Sequence, residues 1–585
     1  MKLIRLKISD PNGFRSLQPG FEHIFRSHRD LKKEEQIFEP FICAGPNGSG
    51  KSNLLEVLAA IFFQLEILRV HRSFLPENFL YDEENNPTGY KESDGKPCAY
   101  ELEYLIKVPT ELQSSKETLH AHVKVKKEMD KSPDIKWLNA SEFKDTDHSG
   151  SVGEKERDFL LPEFVLGYSS GENEILSLPF FKMRFIQFDE YWHSLKHQLP
   201  YSGRPETRMA YMDNAFSQAI LLCTLLFNDQ ERLKPFHEDV GIGELKEFRI
   251  IIKRQIKLNP NENADLPEEL VHSEENDDGS KQNSINLIKL LEADENSASN
   301  FDPIVTRLKR CATCTFIDES TNTLYLDYFV NKETKKAFRL NFENSAIALF
   351  QAFQVLLTLN LYSVNEHIKR DLYNSNSHYV NETVPTLASD ERIMRFKFVR
   401  FIKNGISETV TLKDLSDGEH QFLHSLGLCL LFGNTNSLFL LDEPETHFNP
   451  DWRSKFISRL NECLPESTSS DHEMLITTHS PFLISDSAPK KVLVFEKTNG
   501  KITIANPDYN TLGASINKIT MNTFGKRETI GGRAEAILKE IYHRFNEGED
   551  RKELLKEINQ KIGDSVEKVL LIKTILDSME EEAQD

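Results

Sequence analysis

The residues Gly45-Pro46-Asn47-Gly48-Ser49-Gly50-Lys51-Ser52 have the types and spacing to hold a phosphate chain. They fit G-x-x-x-x-G-K-[ST], with an apolar run, "PFICAG", before them and an apolar helical pattern, "SNLLEVLAAIFFQLEIL", after. The glycines let backbone N–H groups face an anion, and the following helix N-terminus adds positive potential. In that setting Lys51 pairs with the β- and γ-phosphates and the Ser52 hydroxyl ligates Mg²⁺. Far along the chain, "SLFLLDEPE" (437–445) is an apolar run ending in acids. Asp442 is placed to hold Mg²⁺, and Glu443 to polarise a water attacking the γ-phosphate. Another apolar run, "MLITTHSPFLI" (474–484), delivers His479, whose imidazole can hydrogen-bond the γ-phosphate. A second anion-binding helix start, "LSDGE" (415–419), lies between the phosphate loop and these acids.

Positioning these groups takes buried strands with loops at their ends. The pattern predicts an α/β protein: a P-loop NTPase head with a mixed sheet and an antiparallel β lobe, split by a mainly helical insert and closed by a helical C-terminus. "MKLIRLKI", "AYELEYLIKV" and "LHAHVKVKK" alternate with period two and supply the antiparallel lobe. Boundaries are expected at 1–203 for the first half of the head, 204–388 for the insert, 389–525 for the second half and 526–585 for the helical end. Within the insert, "NAFSQAILLCTLLF" and "LKEFRIIIKRQIKL" read as helices. The acidic, Asn/Ser-rich stretch at about 259–300 reads as a flexible excursion, since such composition buries little apolar surface. "CTFIDESTNTLYLDYFV" and "KKAFRLNF" read as a hairpin-like pair, followed by an apolar helix over 345–362.

The 585 residues carry a formal net charge of −21, which argues against a protein coating nucleic acid with its whole surface. Local basic clusters stand out: Arg249, Lys253, Arg254 and Lys257, read as one face of a helix, then Arg307, Lys309 and Arg310, and Lys124, Lys126 and Lys127. The 7 cysteines are scattered; Cys311 and Cys314 form a CxxC without a second pair to complete a zinc site. A reduced, cytosolic chain is the expectation. The N-terminus reads as a strand rather than a signal peptide, and no apolar stretch is expected to reach the about 18 residues of a membrane span.

The set "GPNGSGKS", "LSDGE", "LLDEPETHFNP" and "TTHSPFLIS" resembles the ABC-type ATPase heads of the SMC, RecF and OLD group, over roughly residues 1–185 and 390–500. The resemblance implies ATP and Mg²⁺ as cofactors, with Ser416, Gly418 and Glu419 as a signature motif closing over ATP held on Lys51 of the partner subunit. It implies a homodimer or higher oligomer, with residues 445–450 as the loop touching the second head. Family heads use a glutamine to sense Mg²⁺: Gln187 is the candidate by position, Gln64 reads as structural, and the turn at 168–174 is an alternative. The insert lacks heptads, so a long coiled-coil arm is not expected, and no Toprim, H-N-H or Arg-x(4–6)-His nuclease pattern is recognisable. The closest resemblance is to PtuA-like ATPases of Septu and some retron antiphage systems. That implies a cytoplasmic ATPase without a membrane partner, a separate HNH-type nuclease subunit, and DNA or a retron RNA–DNA species as further ligands. A RecF-like ATPase that loads or repairs DNA directly is the alternative, and a transporter subunit is disfavoured by the size of the insert.

Overall fold

A computed structural model describes residues 1–27, 38–70, 75–77, 79–114, 119–144, 150–170, 175–258, 266–275, 281–292, 303–376, 384, 387–464, 472–525 and 530–584. At its centre is a seven-stranded sheet in the order Lys501–Ala505, Val492–Thr498, Phe41–Ala44, Glu473–Thr478, Ser437–Asp442, Phe164–Ser169, Met209–Tyr211. All neighbours run parallel except the edge hairpin of Val492–Thr498 with Lys501–Ala505. Parallel strands covered on both faces must be apolar throughout, and "FICA", "SLFLLD" and "EMLITT" are buried at every position.

Alternation divides these strands between two cores. Leu438, Leu440 and Leu475 point to one side, which also holds the helix Lys51–Arg69 through Leu54, Leu58 and Ile61. Phe439, Leu441, Met474 and Ile476 point to the other, with the helices Asn214–Phe227, Ala346–Thr358, Asp417–Phe432 and Pro450–Cys463. Because every strand direction is shared, the C-terminal ends of the loop, histidine and acid strands open on one edge, where α/β sheets bind ligands.

An antiparallel sheet, ordered Glu22–Ile24, Lys2–Ile8, Tyr100–Lys107, His120–Lys127, Asp134–Trp137, packs beside this centre. A buried ion pair ties the two together. Glu473, on the central sheet, accepts from Arg26 (3.0 Å to Nη2) and from the Leu3 amide at 2.8 Å. Both charged side chains are almost fully enclosed, so removing either partner leaves an uncompensated buried charge.

The middle of the chain differs from its expected form. "LKEFRIIIKRQIKL" is a strand, Ile242–Lys253, followed by Gln255–Lys257, so Arg249, Lys253, Arg254 and Lys257 do not share a helix face. It lies inside a second antiparallel sheet ordered Cys314–Asp318, Thr323–Phe329, Ile242–Lys253, Met394–Lys403, Val410–Thr411. The consecutive β-branched Ile250, Ile251 and Ile252 suit a pleated surface, and pairing on both sides settles it. "CTFIDESTNTLYLDYF" closes a hairpin on itself, Cys314–Asp318 with Thr323–Phe329. "KETKKAFRLN" is instead a helix, capped by the Asn331 side chain accepting from the Thr334 amide at 2.9 Å.

The insert therefore contributes strands as well as helices. Parts of the acidic stretch are ordered, with Val271–Glu275 and Lys281–Asn286 pairing in a three-stranded sheet; 259–265, 276–280 and 293–300 lie outside the described residues. Residues 346–363 form an 18-residue apolar segment with mean hydropathy 1.4, long enough to cross a membrane by composition, contrary to expectation. Its Leu349, Phe350, Phe353 and Leu356 are enclosed in the core, which accounts for the composition. The C-terminal region consists of the helices Ile516–Phe524, Gly532–Asn546, Arg551–Lys561 and Val566–Gln584, the last three sharing a small core of their own.

Candidate functional site

The loop after Phe41–Ala44 turns through Gly45 (φ 145°), Gly48 (φ 72°) and Gly50 (φ 95°), conformations that L side chains rarely adopt. At Gly45 space also forbids a side chain, because a Cβ would lie 2.4 Å from the Phe495 carbonyl. Pro46, Asn47 and Gly48 form an exposed tip, whereas Ser49, Gly50 and Lys51 are buried. The helix Lys51–Arg69 begins directly at the loop, and its first-turn amides are anion donors awaiting a partner.

Lys51 Nζ donates to the carbonyls of Gly45 (3.1 Å) and Pro46 (3.2 Å) and contacts His479 Nε2 at 3.0 Å. A charged lysine has no lone pair, so in that contact Nε2 accepts and the imidazole is neutral there. Burial holds the Lys51 ammonium below the usual lysine range, against the opposing pull of Glu443 and Asp442. His479 is likewise lowered, first by burial and then by the Lys51 charge.

The acid strand and the histidine strand are paired in parallel with Asp442 opposite Thr477. Asp442 Oδ1 accepts from Ser52 Oγ at 2.7 Å and from Thr477 Oγ1 at 2.6 Å. Burial raises the Asp442 carboxyl, while Thr477, Ser52 and Lys51 draw it back down. Glu443 follows at φ 50°, a left-handed backbone that costs a non-glycine residue energy and marks a site where position matters. Its amide is held by Thr477, at 3.2 Å to the carbonyl and 3.0 Å to Oγ1. Its carboxylate Oε1 lies 3.3 Å from His479 Nε2. Burial raises the Glu443 carboxyl, and neighbouring Asp442 raises it further.

Sequence reasoning missed Thr477 and the pair behind it. Thr478 Oγ1 donates to Glu445 Oε1, inside the protein. Burial pushes the Glu445 carboxyl up to about 7. The doubled Thr before His479, both fully buried, is the signal that was available: hydroxyls inside a strand need acceptors. Glu445 is buried with Phe448, so of residues 445–450 only Thr446, His447, Asn449 and Pro450 are exposed. Gln187 is enclosed in the helix Ser177–Lys196, where its Oε1 accepts from Gln354 at 3.3 Å, and Gln64 accepts from Lys127 at 2.9 Å. Of the turn at 168–174, Ser170 bonds Thr446 Oγ1 at 2.8 Å and its amide bonds the Asp442 carbonyl at 3.1 Å; 171–174 lie outside the described residues.

The signature stretch is a well-formed helix start. Ser416 Oγ accepts from the Glu419 amide at 3.4 Å, and Glu419 Oε2 accepts from the Ser416 amide at 2.8 Å, a reciprocal capping box. Glu419 also pairs with Lys403 at 2.5 Å, so its carboxylate is committed to the turn. Gly418 lies against the acid-strand loop: a Cβ there would meet the His447 carbonyl at 2.6 Å. Gln421 Oε1 accepts from the His447 amide at 3.0 Å, and Phe422 stacks on Trp452 with centroids 5.0 Å apart. Ser416 and Asp417 face solvent. The structure thus brings Lys51, Ser52, Asp442, Glu443 and His479 together at one end of the central sheet, and places Ser416, Gly418 and Glu419 on a separate helix start.

A nucleoside triphosphate with Mg²⁺ fits the first group. The Ser49 hydroxyl is buried without a hydrogen-bond partner among the described residues, Lys51 is occupied by carbonyls rather than a carboxylate, and Ser52 with Asp442 is the hard-oxygen pair that Mg²⁺ prefers. Ser49, Lys51 and the loop amides would hold the phosphates, and Ser52 and Asp442 the metal. The bound group supplies a γ-phosphoryl centre whose charge the metal neutralises. Glu443, its carboxyl raised by burial and by Asp442 and its amide held by Thr477, is placed to take a proton from water, and neutral His479 accepts from Lys51 beside it.

The family described as AAA domain, putative AbiEii toxin, Type IV TA system, matches residues 164–485. The matched span contains the signature helix, Asp442, Glu443 and His479, and begins after the phosphate loop that this chain adds to the same sheet. It covers more than half of the chain, and the chain belongs to this family of AAA ATPase domains.

Proposed function

We propose that this protein is a Mg²⁺-dependent ATPase that works as a dimer, with the Ser416–Glu419 turn of each copy closing over ATP bound on Lys51 of the partner subunit. The observation that carries this reading is the separation of two anion-directed helix starts. One is joined to the acids and the histidine, and the other is capped, with Ser416 and Asp417 open to solvent. Its PtuA-like motifs support a cytoplasmic role as sensor and regulatory scaffold for a separate HNH-type nuclease in antiphage defence. In that role ATP turnover controls the partner's cutting.

Mixing variants tests the shared site. Lys51→Ala and Ser416→Arg proteins are each expected to be inactive alone. Their mixture should regain up to about a quarter of wild-type ATP turnover, since half the dimers are mixed and each holds one intact site. No recovery in a mixture that demonstrably forms mixed dimers would overturn the shared-site reading. Affinity purification of the protein from its native cells, with mass spectrometry, tests the nuclease partner.

A further inference from the structure

The second antiparallel sheet has one face in the core and one in solvent. Leu324, Leu326, Tyr328, Phe248, Ile250, Ile252 and Met394 fill the inner side. An outer face of this kind is ordinarily polar. Here Phe316 is 61% exposed, Phe329 57% and Phe398 41%.

Strand register arranges this face in rungs. Phe316, Tyr325, Ile251 and Arg395 are paired across four strands. The next rung runs Cys314, Asp327, Arg249, Lys397, and a further one runs Phe329, Glu247, Arg400, Thr411. At the far end Thr323 pairs with Lys253. Phe398 sits in a bulge at φ 55° that turns its ring onto the same face. There it is surrounded by cations: Lys397 Nζ at 4.9 Å, and the Arg400 and Arg249 guanidinium carbons at 5.3 and 5.6 Å from the ring centroid.

Charge on this face opposes that of the whole chain. Of the carboxylates along it, Asp327 is taken by Arg249 at 2.5 Å and Glu247 by Arg400 at 2.5 Å, while Glu408 lies in the groove beside Phe329 and Glu247. Asp318 turns back onto Ser320 Oγ (2.7 Å) and Thr321 Oγ1 (2.9 Å). Lys253, Arg395 and Lys397 are left without ion pairs among the described residues. A molecule of net charge −21 therefore carries one sheet face where cations without ion pairs among the described residues lie between exposed rings.

We infer that this face binds single-stranded nucleic acid, with unpaired bases stacking on Phe316, Phe329 and Phe398 and phosphates running along Lys253, Arg395 and Lys397. Adjacent strands stand about 4.8 Å apart and rise about 3.4 Å per residue; Phe316 and Phe329, on neighbouring strands four residues out of register, and Phe398, two strands from Phe329, therefore present separated platforms to a flexible strand. A duplex hides its base faces and cannot use such rings, whereas a single strand offers both stacking faces and charge. Cations alone would serve any polyanion, and rings alone any apolar surface; their combination favours this occupant. The inference goes beyond the ATPase reading and does not depend on it.

Fluorescence anisotropy with the full-length protein tests it, using labelled oligo-dT, oligo-rU and a mixed-sequence duplex of equal length. At least one single strand should bind more tightly than the duplex. Phe316→Ala and Phe398→Ala should each weaken that binding roughly tenfold. Lys397→Ala should lower the slope of log K against log salt by about 0.7. All three should keep wild-type melting temperature and ATP turnover, because the side chains lie on the surface away from Lys51. Failure to bind either single strand, equal preference for duplex, or binding that these variants leave unchanged would overturn the inference. If the same variants instead dissociate a protein complex while strand binding persists, the face is a protein-docking surface.

Discussion

Ser52 Oγ donates to Asp442 Oδ1 at 2.7 Å, joining residues 390 positions apart. The contact places the first turn of the phosphate-loop helix on the end of the acid strand, so the two halves of the chain meet at one oxygen pair. Asp442→Asn should preserve nucleotide binding in the presence of EDTA but remove the gain that Mg²⁺ gives, as a titration with fluorescent ATP would show. Equal enhancement by Mg²⁺ in the variant would remove Asp442 from the metal site.

Lys51 is the cation of this group, held by two carbonyls and His479. Lys51→Ala should weaken ATP binding by at least about tenfold, the scale of a lost charge-assisted hydrogen bond. Wild-type affinity in a folded variant would end the phosphate-loop assignment.

Glu443 combines a raised carboxyl with a left-handed backbone and a Thr477-held amide. Glu443→Gln should bind ATP normally while turnover falls about 10²–10⁴-fold. In the wild type, turnover should decline on the acid side as Glu443 takes up a proton, at a pH above the ordinary glutamate range. Rate–pH profiles under saturating ATP would show both effects.

Glu445 gives a pH signature in stability rather than rate. Its folded pKa, about 7, stands above the value of 4.5 for a free glutamate, so the folded state binds the extra proton between these limits. Its contribution to stability is therefore complete below about 4.5 and is lost as pH rises through about 7. Glu445→Gln, which imitates the protonated form, should show a flatter fall in melting temperature than the wild type across that window. Parallel curves would mean that the carboxyl is ionised throughout.

Gly418 tests the contact between the signature helix and the acid-strand loop. Gly418→Ala should destabilise the protein by about 1–3 kcal/mol, because the added methyl meets the backbone carbonyl of His447 and one element must move. Helix propensity alone would predict the opposite sign. Chemical denaturation separates the two.

The candidate cluster was more legible than the scaffold around it. Lys51, Ser52, Asp442, Glu443 and His479 could be found because each ends an apolar run or begins one, and buried strands tolerate few other patterns. Residues 245–258 were misread for a physical reason. Leu245, Phe248 and Ile252 satisfy a helical spacing, and only pairing with Thr323–Phe329 and Met394–Lys403, distant in sequence, favours the strand. The helix over 332–341 was hidden because Phe338 and Leu340 alternate as in a strand, while the decisive signal was the capping Asn331. Thr477 and Glu445 act through hydrogen bonds between strands and loops, which no spacing in the chain encodes.

The strand order of the central sheet has a consequence for synthesis. Among the described residues Phe41–Ala44 pairs only with Glu473–Thr478 and Val492–Thr498, and Lys51 meets His479 across 428 residues. At roughly 5–20 residues per second, a ribosome takes about 20–90 s to cover that interval. For most of that time the loop has neither its flanking strands nor its acids. A nascent or truncated chain that stops before the strand Val492–Thr498 is thus unable to assemble the candidate nucleotide site.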